Sequence, residues 1–151
     1  MSDKGNQYIM VLYNYDSNAI LATRCKSRNG SDLIGTYDEL YNQLIKAGII
    51  PVIQRLDNEV SESLIEAIES KGLDYQLASP YDHRLNPAER QVQTFKNHLI
   101  SNLHGCDTSF PAYKWCSIIR QCEMTLNMLR CLRINPKLSA YTQLFGMFDY
   151  N

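Results

Sequence analysis

The stretch Tyr8–Tyr13, YIMVLY, is apolar at every position and rich in residues that favour extended backbone. A continuous apolar run of this length predicts a buried strand. The next five residues, Asn14–Asn18 (NYDSN), are turn chemistry, with Asp16 read as a turn aspartate. Ala19–Cys25 then reads as a second strand, and so short a link makes an antiparallel hairpin. The chain therefore opens with a hairpin that other elements must cover.

The rest of the sequence supplies that cover. Ser31 is a reasonable helix N-cap, and Leu33, Ile34, Tyr37, Leu40, Tyr41, Leu44 and Ile45 follow with helical period up to Gly48. Ile49–Leu56 reads as a buried strand, weakened near its start by Pro51 and closed by Asp57–Asn58. Ser61–Ser70 reads as a short helix with Leu64, Ile65 and Ile68 inward, stopped at Gly72, and Leu73–Ala78 as the last strand. Ser79–Pro87 is a loop bracketed by prolines, followed by a helix over Ala88–His104. After Phe110–Pro111 a long helix is expected, with Trp115, Ile118, Ile119, Cys122, Leu126 and Leu129 on one side, broken at Asn135–Pro136. Leu138–Phe145 forms a last helical turn or two, ended by Gly146. The order β-β-α-β-α-β-α-α-α predicts an α/β layered domain, a mixed sheet flanked by helices.

A length of 151 residues suits one domain with a real core. No apolar run approaches the ~20 residues of a membrane span, and no secretory signal opens the chain, so an intracellular protein without membrane contact is expected. Cys25, Cys106, Cys116, Cys122 and Cys131 are odd in number and form no CxxC pair, which favours reduced thiols over zinc or disulfides. The net charge of −1 hides an asymmetry. Residues 1–82 carry 7 Lys/Arg and 12 Asp/Glu (net −5), and residues 83–151 carry 8 and 4 (net +4). The second half could present a basic face to phosphates, or simply a solvated surface.

The candidate chemistry lies in Asn86–Lys96, NPAERQVQTFK, and in the LDN of Leu56–Asn58. On a helix from Ala88, Glu89, Gln93 and Lys96 share one face, while Ala88, Val92, Phe95, Leu99 and Leu103 form an apolar stripe. Asp57 at a strand's C-terminal end and Glu89 in a helix's first turn make a plausible cage for hard divalent cations. The plain alternative is a turn aspartate and a glutamate favoured by the helix dipole. His98 and His104 read as surface residues, and Trp115 as packing.

QRLDNE, SPYDHRLNPAER and LSAYTQLFG, in that order, resemble three motifs of the catalytic core of retroviral and LTR-retrotransposon integrases, most closely the copia-like elements. The middle segment is the specific one. The similarity covers about residues 6–151 and implies a ribonuclease-H-like fold. It also implies an integrase-type polynucleotidyl transferase acting on DNA with two Mg²⁺ (or Mn²⁺) ions held by two aspartates and a glutamate. By position, Asp57 is the second aspartate and Glu89 the glutamate. Lys96 matches a lysine that contacts the element's DNA end. Gln93, Asn58, Arg90, His83 and Arg84 are the further DNA-contact positions. The expected partners are element and target DNA and further copies of the chain, in the nucleus.

Three departures qualify that expectation. Only seven residues precede Tyr8, so the family's first strand and its aspartate have no counterpart, and the domain is expected to be incomplete at its N-terminus. The spacing from Asp57 to Glu89 is shorter than the family's, and Glu59 replaces a glycine after the D-N pair. The resemblance thus implies either an impaired integrase core or a non-catalytic fragment, decayed or domesticated, that keeps fold, self-association or weak nucleic-acid binding. Without the first strand, YIMVLY would carry an open apolar edge, which predicts self-association.

Overall fold

The computed structural model describes residues 1–78 and 87–147. Two strands, β1 (Tyr8–Asn14) and β2 (Ala19–Cys25), form the expected antiparallel hairpin, with Leu12 opposite Leu21. The turn between them is held by Asn14, whose Oδ1 accepts from the Ser17 backbone N–H (3.0 Å) and hydroxyl (2.6 Å). It ends on Asn18 at φ 54°, a left-handed conformation that asparagine tolerates.

Helix α1 (Gly30–Lys46) follows, then β3 (Ile53–Leu56), α2 (Glu62–Glu69) and β4 (Asp74–Leu77). The N-cap of α1 is Asn29 rather than Ser31, because Asn29 is the last extended residue and its carbonyl accepts the Leu33 N–H. Gly48 and Gly72 turn the chain out of α1 and α2 at φ 74° and 75°. The expected buried strand Ile49–Leu56 is shortened to β3. Its first residues do not pair, and Ile50 and Val52 are 77% and 72% exposed. Pairing begins at Val52, whose carbonyl accepts the Asp74 N–H, so the parallel partner sets where the strand starts.

Helix α3 (Pro87–Gly105) matches the expected span. Of its expected inward stripe, Phe95 and Leu99 are buried and Leu103 packs beside them, while Gln91 takes the inward place expected for Val92. Gln91, Phe95 and Leu99 are buried, whereas Val92 is 45% exposed. The helix lies against β1 and α4, and that line of contact, not the mean apolar direction, selects the buried residues. The long helix expected after Pro111 is two pieces, a 3-10 helix (Ala112–Ser117) and α4 (Ile119–Met128). It stops well before Asn135, leaving Leu129 78% exposed instead of packed. Helix α5 (Ala140–Phe145) is capped by Ser139, whose Oγ accepts the Thr142 N–H, and ends at Gly146.

The hairpin is the middle layer of three. Leu12 of β1 and Ala19 and Leu21 of β2 pack with Tyr37, Leu40 and Leu44 of α1, Leu64 and Ile68 of α2 and Ala140 of α5. The opposite face, with Ile9, Val11, Ile20 and Ala22, packs with Phe95 and Leu99 of α3 and Ile119, Cys122 and Leu126 of α4. Burying a side chain such as Phe95 contributes about 1.5–3 kcal/mol. The expected single mixed sheet is divided in two: β1–β2 antiparallel and β3–β4 parallel. Among the described residues β1 and β3 share no backbone hydrogen bond. Cys25, Cys116 and Cys122 are buried free thiols, whereas Cys106 is half-buried and Cys131 exposed. Among the described residues no helix is long and apolar enough to cross a membrane.

Candidate functional site

Asp57 follows β3 directly, at the carboxyl end of the parallel pair, where α/β proteins gather binding residues. Its side chain is exposed and its Oδ1 accepts the Asn58 backbone N–H at 2.8 Å. The Asp57 carbonyl accepts the Val60 N–H, closing a turn into α2. One carboxylate oxygen is thereby engaged in the turn. Asn58 and Glu59 are also exposed.

Glu89 is exposed in the first turn of α3, where the unpaired backbone N–H groups favour a carboxylate. Arg90, Gln93 and Lys96 are exposed on the same helix. The Gln93 amide donates to Asn97 Oδ1 at 2.8 Å, which points it along the helix surface. The shared face expected for Glu89, Gln93 and Lys96 is thus a solvent face. His83 and Arg84 lie outside the described residues.

Among the described residues no three His, Cys, Asp or Glu side chains cluster closely enough to hold an ion. Asp57 and Glu89 are hard oxygen donors of the right kind, and both are exposed. Mg²⁺ is commonly held by one or two carboxylates, with waters and substrate phosphate oxygens completing its octahedron.

Sequence reading passed over three buried polar residues. Gln91 sits on the inward stripe of α3, one turn before Phe95, and its Oε1 accepts no hydrogen bond among the described residues. Glu123 and Asn127 lie one turn apart on α4, fully buried against β2. The Glu123 Oε2 accepts the Ala22 N–H at 2.9 Å. Burial pushes the Glu123 carboxyl above the usual carboxylate range, although the Ala22 N–H and the nearby Arg120 pull it back. The legible signal was a Glu and an Asn four apart inside an otherwise apolar stripe. His98, read as a surface residue, is half-buried and its ring bonds the Thr125 hydroxyl at 2.9 Å, tying α3 to α4.

No family model and no curated protein matches the chain. Solved structures do. A chain in the cryo-EM structure of the simian T-cell lymphotropic virus intasome in complex with PP2A regulatory subunit B56 gamma superposes with a TM-score of 0.68 at 18% identity. The match covers 92% of this chain and 48% of that one, so this chain spans about half its length. The crystal structure of the catalytic core domain of BIV integrase superposes with a TM-score of 0.62 at 15% identity, covering 90% of this chain and 84% of that one. Likenesses at this identity speak for the fold: the chain has the α/β fold of a retroviral integrase catalytic core.

Proposed function

We propose that this chain is an integrase-type core of ribonuclease-H-like fold that acts on DNA, as the integrase of a retrotransposon or related mobile element. The observation that carries the reading is the superposition on the BIV integrase catalytic core over 90% of the chain, with the D-N and E-R motifs of the sequence at a strand end and a helix start. Within it, Asp57 and Glu89 are the inherited acidic residues, and Asn58, Arg90, Gln93 and Lys96, with His83 and Arg84, are the positions that face DNA. The proposed setting is nuclear, with further copies of the chain as partners.

The exposed face of α3 suits a phosphate backbone. Lys96 and Arg90 bring positive charge, and Gln93 brings an amide that donates to oxygen. The chemistry Mg²⁺ or Mn²⁺ supplies to such cores is activation of an attacking oxygen and stabilisation of the leaving one. The residues described in this chain do not complete that site, and this observation favours the second reading, a non-catalytic integrase fragment that keeps the fold and binds DNA weakly.

Two measurements separate the readings. Mn²⁺ titration by calorimetry, beside Asp57→Asn and Glu89→Gln, reports whether the carboxylates act together. Binding lost in both variants supports the metal-dependent core, and its absence in folded wild-type protein supports the non-catalytic one. Binding to duplex DNA as a function of salt tests the shared part. Lys96→Gln is expected to reduce the slope of log K against log salt by about 1. An unchanged slope and affinity would remove α3 from the interface.

A further inference from the structure

The turn of the β1–β2 hairpin holds two arginines in fixed positions. Asn18, at φ 54°, is the hub. Its carbonyl accepts Nε of Arg130 at 2.7 Å, and its Oδ1 accepts Nη2 of Arg130 at 2.6 Å. The same Oδ1 accepts the Tyr13 hydroxyl at 3.0 Å, and that hydroxyl accepts Nη2 of Arg133 at 3.0 Å. The Asn18 amide donates to the Cys131 carbonyl and the Arg133 backbone N–H to the Asp16 carbonyl, which ties the loop after α4 to the turn. Each guanidinium also lies over a ring. Arg133 is 4.2 Å from the centroid of Tyr15, and Arg130 is 5.8 Å from that of Tyr13. Nη1 of Arg130, and Nε and Nη1 of Arg133, are left without an acceptor among the described residues.

Two cations held on one turn call for an anion, and the chain supplies none. Among the described residues the ion pairs are Lys71–Asp38 and Arg120–Glu123, and neither Arg130 nor Arg133 joins one. Residues 124–148 hold Arg130, Arg133 and Lys137 and not one Asp or Glu. Asp16 is the one acid of the turn; it is exposed, and its carboxylate enters no ion pair among the described residues. Arg130 is half-buried. Burial disfavours its charge, Tyr13 opposes that, and the neighbouring Arg133 adds to it. Arg133 and Tyr15 are exposed, so the free nitrogens are open to a ligand. Because the hydrogen bonds already hold both side chains, little rotamer freedom remains to be lost on binding.

We propose that Arg130 and Arg133 form a phosphate-binding site at the hairpin turn, and that it holds the sugar–phosphate backbone of a DNA duplex. The inference deepens the reading of the chain as acting on DNA, and it rests on that reading. Phosphate oxygens suit a guanidinium because they accept two of its N–H groups at once. A chain of phosphates fits better than a lone ion because the positive charge is spread along the surface. Lys137 is exposed on the same loop. Helix α3 begins at the same end of the molecule. His98 of α3 bonds Thr125 of α4, and Cys106, two turns later, is an electrostatic neighbour of Cys122, one turn earlier, so the helices run antiparallel. The first turn of α3, with Arg90, therefore lies toward the end where α4 finishes and Arg130 follows. Contacts of this kind fix a duplex in place and read no sequence, so the site is an anchor.

Salt titration of duplex binding, beside nitrogen NMR of the arginine side chains, tests the proposal. The probe is a short DNA duplex of arbitrary sequence, with inorganic phosphate as the lone-ion comparison. Arg133→Gln is expected to lower the slope of log K against log salt by about 1, and Arg133→Lys, which keeps the charge, to hold it. Arg28→Gln removes an exposed arginine that lies over Tyr8 at the other end of the hairpin, and is expected to leave the slope as it is. In the wild type the Nε signals of Arg130 and Arg133 are expected to shift with the duplex and to return as salt is raised. That measurement needs no variant, so it decides alone should Arg133→Gln fail to fold. An unchanged slope in Arg133→Gln, an equal fall in Arg28→Gln, or Nε signals that stay in place at saturating duplex overturns the proposal. So does a shift with inorganic phosphate and none with the duplex, since that identifies a lone ion as the ligand. A slope that falls in Lys96→Gln but not in Arg133→Gln overturns this site and leaves the DNA reading standing, whereas a wild type that binds no duplex overturns both.

Discussion

Asn127 holds the backbone of Ile20 as a neighbouring strand would. Its Oδ1 accepts the Ile20 N–H at 2.9 Å and its Nδ2 donates to the Ile20 carbonyl at 2.7 Å. One turn earlier, Glu123 accepts the Ala22 N–H. Two side chains four apart on a helix thus reproduce the repeat of a strand edge and close β2 without a strand. An edge left bare here would be a template for pairing with other chains.

Asn127→Ala removes both halves of that contact inside the core. Two buried backbone groups lose their partners, and the expected cost is about 2–4 kcal/mol. Denaturant unfolding measures it. A loss under about 0.5 kcal/mol would mean that water or a shifted α4 replaces the amide without penalty.

Glu123 makes stability depend on pH in a stated direction. Burial raises its carboxyl, so the folded chain holds the proton more tightly than the unfolded chain does. This contribution is fully present below the ordinary carboxylate range and is lost as pH rises through the raised value. Glu123→Gln keeps an oxygen for the Ala22 N–H and removes the charge. Thermal melts from pH 4 to 8 are expected to show the variant gaining on the wild type as pH rises, and parallel curves would refute the charge argument.

Tyr37 sets the alkaline limit. Burial first, then the neighbouring Tyr41 and Asp38, push its phenol up to about 12 from 10.0. Its stabilising effect is present below pH 10 and fades between pH 10 and 12, as the phenol is forced to ionise. Tyr37→Phe deletes the bond to Gln54, at a cost of about 0.5–1.5 kcal/mol near neutrality, and should flatten that alkaline loss. Absorbance titration of the phenols beside circular dichroism checks both.

Asp57 and Glu89 are exposed, so their substitution is expected to leave stability within about 0.5 kcal/mol of wild type. Asp57→Asn and Glu89→Gln melts in the absence of divalent ions test this. A large loss in either would mark a structural role and weaken the reading of both as inherited functional carboxylates.

Local chemistry made much of the architecture legible. The hairpin was readable because an all-apolar run, a turn of Asn, Asp and Ser, and a second apolar run leave few alternatives. Helices α1, α2 and α3 were readable because their apolar period and terminal glycines agree. The positions of Asp57 at a strand end and Glu89 in a first helical turn followed from the same local rules. Whether those carboxylates meet did not, because that depends on how two elements pack.

The element order, the antiparallel hairpin and the exposed polar face of α3 were legible in the sequence, since each rests on contacts between near neighbours in the chain. Packing between distant elements set where β3 begins, that Gln91 rather than Val92 is buried on α3, and that β2 ends against two polar side chains of α4. Each of those depends on a partner distant in sequence: β4 for β3, β1 for α3, and Asn127 for Ile20, 107 positions away. A buried Glu or Asn is tolerable only where a backbone group waits to receive it, and that group is named by packing rather than by period.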